Sequence, residues 1–477
     1  MANPLLQALP QPQRIVAGRY THRRTLPVRA DRFRQGERLQ ASFERIQKQH
    51  DRLRDRTSMA PVCAAIQFVS AVSLPFLPKL LFDDDELELV GDWPALSPPQ
   101  EDFYYEEHPD RFLHAQRYTI LASAAGCYAL YRRWERYLAD RLRRGENRWA
   151  DVFDTAIAVK LLPEAPGILW GQVSSAWNHA MRRNEPRFHI EFELWSRASR
   201  VYRELQEYEV RAMIRIAGGE PERRSTHLPH IHYLGIGASF PTAQYNTFQS
   251  RLPELFYSPY IRRLRPGGGY CFNSPKAEPT QVGQNSTAAV SFDTPPRMAL
   301  IGASPDRLHP AVRDGLLEID PEGVLKNYPT GAAQLGTPLA SLLLHGNLDE
   351  GAEQLPTRLM VRPMMVAKDD DWTSDVVEEC LPRKGTVVGQ VAAALDDLLH
   401  HHRADLEQCA AILISLSAPE ERFDGEVTPL ARLLDWYAHT YGLLFVVSAG
   451  DLDKPLRLNL ATEELYALQA APQELMA

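Results

Sequence analysis

The spacing of apolar positions divides the chain into stretches of different period. Between 31 and 56, Leu39, Phe43, Ile46 and Leu53 recur every three or four residues and predict a helix. The run AAIQFVSAVSL (64–74) reads as a strand. From about 112 to 215 the pattern is mostly helical, as in HAQRYTILASAAGCYALYRRWERYLADRL, with one strand-like piece, RFHIEFELW, at 187–195. GGEPERRSTHLP (218–229) is a break. IHYLGIGASF then reads as a strand and TAQYNTFQSRLPELF as a helix. Beyond 290, short apolar runs (MALIGA, RLMVRPMM, AAILISL, LLFVVSAG) alternate with amphipathic helices (LGTPLASLLLHG, TVVGQVAAALDDLLHHH, LARLLDWYAHTYG). That alternation predicts an α/β layer with a mostly parallel sheet covered by helices on both faces. An α+β, largely helical region is expected before it. The expected organisation is an extended basic arm (1–30), a small α+β region (31–111), a mostly helical domain (112–226), a small α/β unit of ferredoxin-like or prodomain-like kind (227–290), and the final layer (291–477).

Composition narrows the class. The 477 residues are 44% hydrophobic, 9% aromatic and 24% charged, ordinary for a globular protein. No apolar run approaches a membrane span, no secretory leader is expected, and the anticipated location is cytoplasmic. The five cysteines (Cys63, Cys127, Cys271, Cys380, Cys409) are scattered without a Cys-x-x-Cys pair, so neither a zinc cluster nor a disulfide framework is expected. The net charge of -8 is uneven: 13 Lys/Arg against five Asp/Glu between Arg14 and Arg56 leave the rest at -16. A basic arm that docks on an acidic surface fits better than nucleic-acid binding, because aromatic residues there are few and no nucleic-acid motif follows.

Other constellations favour structural roles. His227, His230 and His232 form His-x2-His-x-His just before the strand predicted at 231–239; alternation could set His230 and His232 on one face as a metal pair, but no Cys or third carboxylate completes the set, and a strand mouth after a loop is the expected reading. His400, His401 and His402 end a helix, where cations suit the macrodipole. Arg265-Pro-Gly-Gly-Gly-Tyr270 lacks the Gly-Lys-Ser/Thr of a phosphate loop. The acidic runs 83–88 and 369–371 lack calcium-loop spacing and read as solvated faces or docking sites. No cofactor or metal is expected.

The segment AAILISLSAPEERFDGEVTPLARLLDWYAHTYGLLFVVSAGD (410–451) resembles the subtilases, the subtilisin-like serine proteases. In that family a buried strand ending in Ser-Leu-Gly lines the substrate cleft, and a helix and a second strand ending in Ala-Gly-Asn follow. Here Ser415, Leu416 and Ser417 end the first strand, which makes them the peptide-cleft candidates, and Ala449, Gly450 and Asp451 end the second. QLGTPLASLLLHGNL (334–348) is similar to the helix opening with His-Gly-Thr, and MALIGASPDRLHPAV (298–312) to the strand end bearing the catalytic aspartate. The Arg-rich RADRFRQGERLQASFERI also resembles the front of bacterial subtilases encoded beside an AAA-type ATPase, found in defence and plasmid-maintenance pairs.

The resemblance implies a subtilisin-like parallel sheet without its catalytic groups. The aspartate position is Gly302, the histidine position Leu335, and the oxyanion-donor position Asp451, an acceptor-only anion. The 26 residues after Asp451 contain no serine. Asp306, His309, His345 and His439 offer no complete substitute and read as turn or helix residues. The implied function is a catalytically inactive pseudoprotease, a protein- or peptide-binding regulatory subunit with a protein partner such as an AAA-type ATPase, without nucleic acid or membrane. The alternative is an active serine protease completed by another chain or by a further C-terminal segment.

Overall fold

The computed structural model describes residues 32–54, 63–97, 113–141, 147–162, 173–181, 185–250, 258–267, 271–275, 295–327, 336–346, 355–367, 376–382, 385–416 and 427–448, apart from a few single positions within these ranges. The basic arm (1–30) and the acidic run 369–371 lie outside them. The chain falls into two compact units: Met1–Ala165 with Arg197–Gln206, and Pro166–Ser196 with Glu207–Ala477.

In the first unit, α1 (Arg32–Arg54), β1 (Ala64–Ser70), α2 (Leu77–Phe82), β2 (Leu87–Ser97), β3 (Leu113–Ala122), α3 (Ala124–Leu138), α4 (Asn147–Asp154) and β4 (Ala156–Leu162) follow in order. The strands form an antiparallel sheet, β2-β3-β1-β4. This corrects the expectation of a mostly helical 112–226: HAQRYTILA is strand β3, and the helix begins only after the Ser123 cap, whose Oγ accepts from Gly126 N at 3.0 Å. The physical reason is burial by alternation. Tyr118, Ile120 and Ala122 point into one core while Thr119 lies on the opposite face, and β-branched and aromatic side chains suit that pleated surface. The core is aromatic. Phe43 of α1 stacks on Trp134 of α3 (4.2 Å between centroids, 7° apart in plane) and meets Phe153 of α4 edge-on at 5.7 Å.

In the second unit, β5 (Arg187–Leu194) is followed by α5 (Arg200–Ile216), which begins in the first unit and ends in the second. Then come β6 (Glu220–Pro221), β7 (Thr226–Leu228), β8 (Tyr233–Pro241), β9 (Ile261–Pro266), β10 (Cys271–Pro275), β11 (Pro296–Gly302), β12 (Leu316–Glu318) and α6 (Gly336–His345). The chain continues through β13 (Arg358–Pro363), β14 (Val366–Ala367), β15 (Val376–Cys380), α7 (Val387–His401), α8 (Arg403–Leu406), β16 (Ala411–Ile414), α9 (Pro429–Tyr441) and β17 (Phe445–Val447). One antiparallel sheet runs β6-β8-β5-β9 with β7 beside β8, and a small one runs β10-β15-β14.

The third sheet, β12-β13-β11-β16-β17, is parallel throughout and carries the α/β layer read from the sequence. Alternate residues of each strand enter opposite cores. Ala299, Ile301, Met360, Ile412 and Ile414 pack with α7 and α9 through Val391, Leu395, Leu433 and Tyr437. Leu300, Leu359 and Val361 pack on the other side with Ala340 and Leu344 of α6. Burial on both faces explains why these strands read as unbroken apolar runs.

Cysteine chemistry differs from expectation. Cys380 is disulfide-bonded, while Cys63, Cys127 and Cys409 are not in disulfides. Spacing along the chain carried no signal for this bond, because pairing depends on which strands the fold sets side by side.

Candidate functional site

The chain leaves β11 for β12 and β13 on one side and later reaches β16 and β17 on the other. The order therefore reverses between β11 and β16. In open α/β sheets, ligands bind outside the carboxyl ends of strands at such a reversal.

Gly302 ends β11 in a left-handed conformation (φ +116°). Its carbonyl accepts from Met364 N (2.9 Å) and Met365 N (3.1 Å) just past β13. Ser415, the residue after β16, donates its backbone N–H to the Ile301 carbonyl at 3.0 Å. Its Oγ accepts from Ala303 N at 2.8 Å and donates to the Ile301 carbonyl at 3.2 Å. A Cβ on Gly302 would stand 2.8 Å from that Oγ and 3.2 Å from the Leu416 side chain. Position 302 thus requires glycine twice over, by backbone conformation and by space. The start of α6 closes onto the same strand end: a Cβ on Gly336 would lie 2.2 Å from the Ser304 carbonyl carbon, and Thr337 Oγ1 accepts from Asp306 N at 2.8 Å.

Of the positions singled out in the sequence, Gly302, Ser415 and Leu416 come together here, with Gly336 against the adjoining Ser304. Leu335, Ser417 and Asp451 lie outside the described residues. Ser415 and Leu416 are buried, and the Ser415 hydroxyl is committed to backbone.

The titratable neighbours serve the turn after β11. The Asp306 carboxylate accepts from Leu308 N at 3.0 Å, and His309 Nδ1 accepts from Ala311 N at 3.3 Å. His345 is buried at the end of α6, its Nε2 2.6 Å from the Ala311 carbonyl. His439 is exposed on α9, and His400 and His401 close α7. His230 and His232 lie at the mouth of β8 and not on one strand face: His230 sits in a 3-10 turn with its ring 3.9 Å from that of Trp436 and the planes 34° apart, and His232 takes a left-handed conformation before β8 begins. Burial lowers the His230 pKa, and Asp396 partly opposes this. Among the described residues no group of three or more His, Cys, Asp or Glu is arranged to hold a metal.

A charged centre escaped the sequence reading. Glu193 on β5 is 1% exposed and receives Arg262 Nη1 at 2.8 Å, Arg265 Nη2 at 3.1 Å and Arg432 Nη2 at 3.1 Å. Burial alone would raise its pKa, but the three guanidiniums outweigh that and hold the carboxyl at about 2. Arg432 is pushed down to about 10 by burial and by neighbouring arginines, which still leaves it charged at neutral pH. Two residues away, Glu191 accepts from Tyr233 Oη at 2.5 Å and from Val387 N at the start of α7 at 3.2 Å. RFHIEFELW was legible as a strand, whereas the basic IRRLR of β9 carried no strand reading. That Arg432 joins them from 239 residues away was not legible either.

Among the described residues no helix is long and apolar enough to cross a membrane. No protein-family model matches the chain, and no curated protein matches it.

Proposed function

We propose that the protein is a non-catalytic relative of the subtilases: a pseudoprotease whose subtilisin-like layer serves as a protein- or peptide-binding, regulatory subunit. The observation that carries this reading is Gly302. The position that aligns with the catalytic aspartate holds a residue without a carboxylate, and neither its left-handed backbone nor the 2.8 Å approach of Ser415 Oγ leaves room for one. The order of elements also supports it: a buried strand ending at Ser415-Leu416, then α9, then β17. The aligned histidine position holds Leu335, which cannot accept a proton, so the reading has neither a base there nor a carboxylate at 302.

A partner of the AAA-ATPase type and a role in bacterial defence or plasmid maintenance rest on the Arg-rich segment after the basic arm. A cytoplasmic location goes with that role, and the disulfide at Cys380 is the observation against it. Counting alkylated cysteines decides: protein alkylated in denaturant at the moment of lysis should carry five modified cysteines if the Cys380 bond is absent in the cell and three if it is present. The function itself is tested by incubating the full chain with casein and with a fluorophosphonate serine probe. Neither cleavage nor labelling is expected. Stoichiometric labelling of a single serine ends the pseudoprotease reading.

A further inference from the structure

At β16 and β17 the parallel sheet is covered on one side and open on the other. On the side of α7 and α9, Ile412, Ile414 and Phe445 pack with Leu433 and Tyr437. On the opposite side α6 packs on β11 and β13 through Ala340 and Leu344. Leu413 faces this second side, Val446 is its partner across the strands, and alternation sets Leu444 with Val446. Leu413 is partly buried, while Leu444 is 56% and Val446 49% exposed. Leu339 and Leu343 of α6, also partly buried, extend the same apolar surface. They lie on the flank of α6 turned away from His345, whose ring meets Ala311. Parallel sheets are buried on both faces, and two neighbouring strands about 4.8 Å apart take one helix about 10 Å wide. The uncovered strip therefore has the width of a single helix.

The sequence that follows β17 supplies one. The residues after Ser448 lie outside the described ones. In their sequence Ala461, Leu465 and Leu468 recur at spacings of four and three. At 100° per residue these three fall within about 60° of one another, with Glu463, Tyr466 and Ala470 on the other side. Asn459 before them is a helix-starting residue type, Glu463 and Glu464 suit the opening turns, and Pro472 stops the pattern. A helix over 460–471 would be about 18 Å long, enough to cross strands of three or four residues. The intervening stretch 449–459 leaves from the end of β17 itself and, at about 3.3 Å per residue, is long enough to turn back over the sheet. Tethered there, the segment meets the strip at a roughly millimolar effective concentration, ahead of any helix from a second copy.

We infer that residues 460–471 seat as a helix on the open side of β16 and β17, beside α6, with Leu465 and Leu468 on Leu413, Leu444 and Val446. Cross-linking in the full chain tests the placement. Val446→Cys combined in turn with Leu465→Cys and with Leu468→Cys should give, for at least one pair, a disulfide under mild oxidation that peptide mapping places within a single chain. Val446→Cys with Tyr466→Cys, on the far side of the helix, should not. Hydrogen exchange tests the cover. Leu465→Asp with Leu468→Asp should speed exchange of the amides joining β16 to β17 by about ten-fold, and Val446→Asp added to that pair should bring little further change. The substitutions at 465 and 468 alter no residue of the described core, so their readout stands even where Val446→Asp unfolds the sheet. A cross-link between two chains, a Tyr466→Cys cross-link as strong as those from the leucines, or exchange unmoved by Leu465→Asp with Leu468→Asp overturns the inference.

Discussion

The two units hold their interiors together by different means. The first is built on aromatic packing, with Phe43, Trp134 and Phe153 in contact and Tyr137 against Trp134 and Phe153. Its polar groups there are small and neutralised locally, as where Tyr137 Oη donates to Asp154 at 2.6 Å. The second places an ionised carboxylate, Glu193, among three arginines beneath α9. Apolar packing is insensitive to pH and loses stability in proportion to the volume removed. A buried ionic centre gains little over apolar packing when complete, yet is costly when one member is lost, and it is tied to pH. What it supplies is register: only one arrangement of β5, β9 and α9 brings the three arginines to one carboxylate.

Four substitutions probe that contrast. Phe43→Ala opens a cavity under α1 and should cost about 3–5 kcal/mol, with the same shift in urea midpoint at pH 7 and pH 4. Glu193→Gln leaves three guanidiniums around a neutral group and should cost about 3 kcal/mol or more at pH 7. Its penalty should depend on pH. The carboxyl sits at about 2 in the folded chain against 4.5 as a free side chain. That depressed value adds about 3 kcal/mol of stability above pH 4.5, which is lost as the pH falls toward 2. The gap between wild type and Glu193→Gln should therefore narrow across that window, and a constant gap would mean that the carboxylate is not the source. Gly302→Ala combines a left-handed backbone with a Cβ pressed on Ser415 and should cost about 2–4 kcal/mol, measurable by chemical unfolding. Thr428→Ala removes the cap of α9, where Oγ1 accepts from Ala431 N at 3.2 Å, and should cost about 1 kcal/mol without pH dependence. Thermal melts of that variant set the background against which the other three are read.

The legibility of the chain followed the type of burial. Strands β11, β13 and β16 and helices α6, α7 and α9 stood out because a two-sided core demands continuous apolar runs of strand length between amphipathic stretches of helix length. β3 did not, since its alternation of Tyr118, Ile120 and Ala122 merges directly into α3 and a helical period fits the joined segment nearly as well. The cap at Ser123 was the local signal that would have separated them.

Sequence by itself determined the parallel α/β layer and the residue types at its strand ends: glycine at the end of β11, serine and leucine after β16. These follow from local periodicity and from the side chains present or absent, which no fold can change. Only the tertiary structure decided that Gly302 must be glycine, because the reason lies 113 positions away in the Ser415 hydroxyl. It alone decided the Glu193 centre, whose arginines come from β9 and α9. Contacts of that kind depend on which elements the chain lays side by side, and charge–charge attraction between distant segments leaves no period along the chain to read.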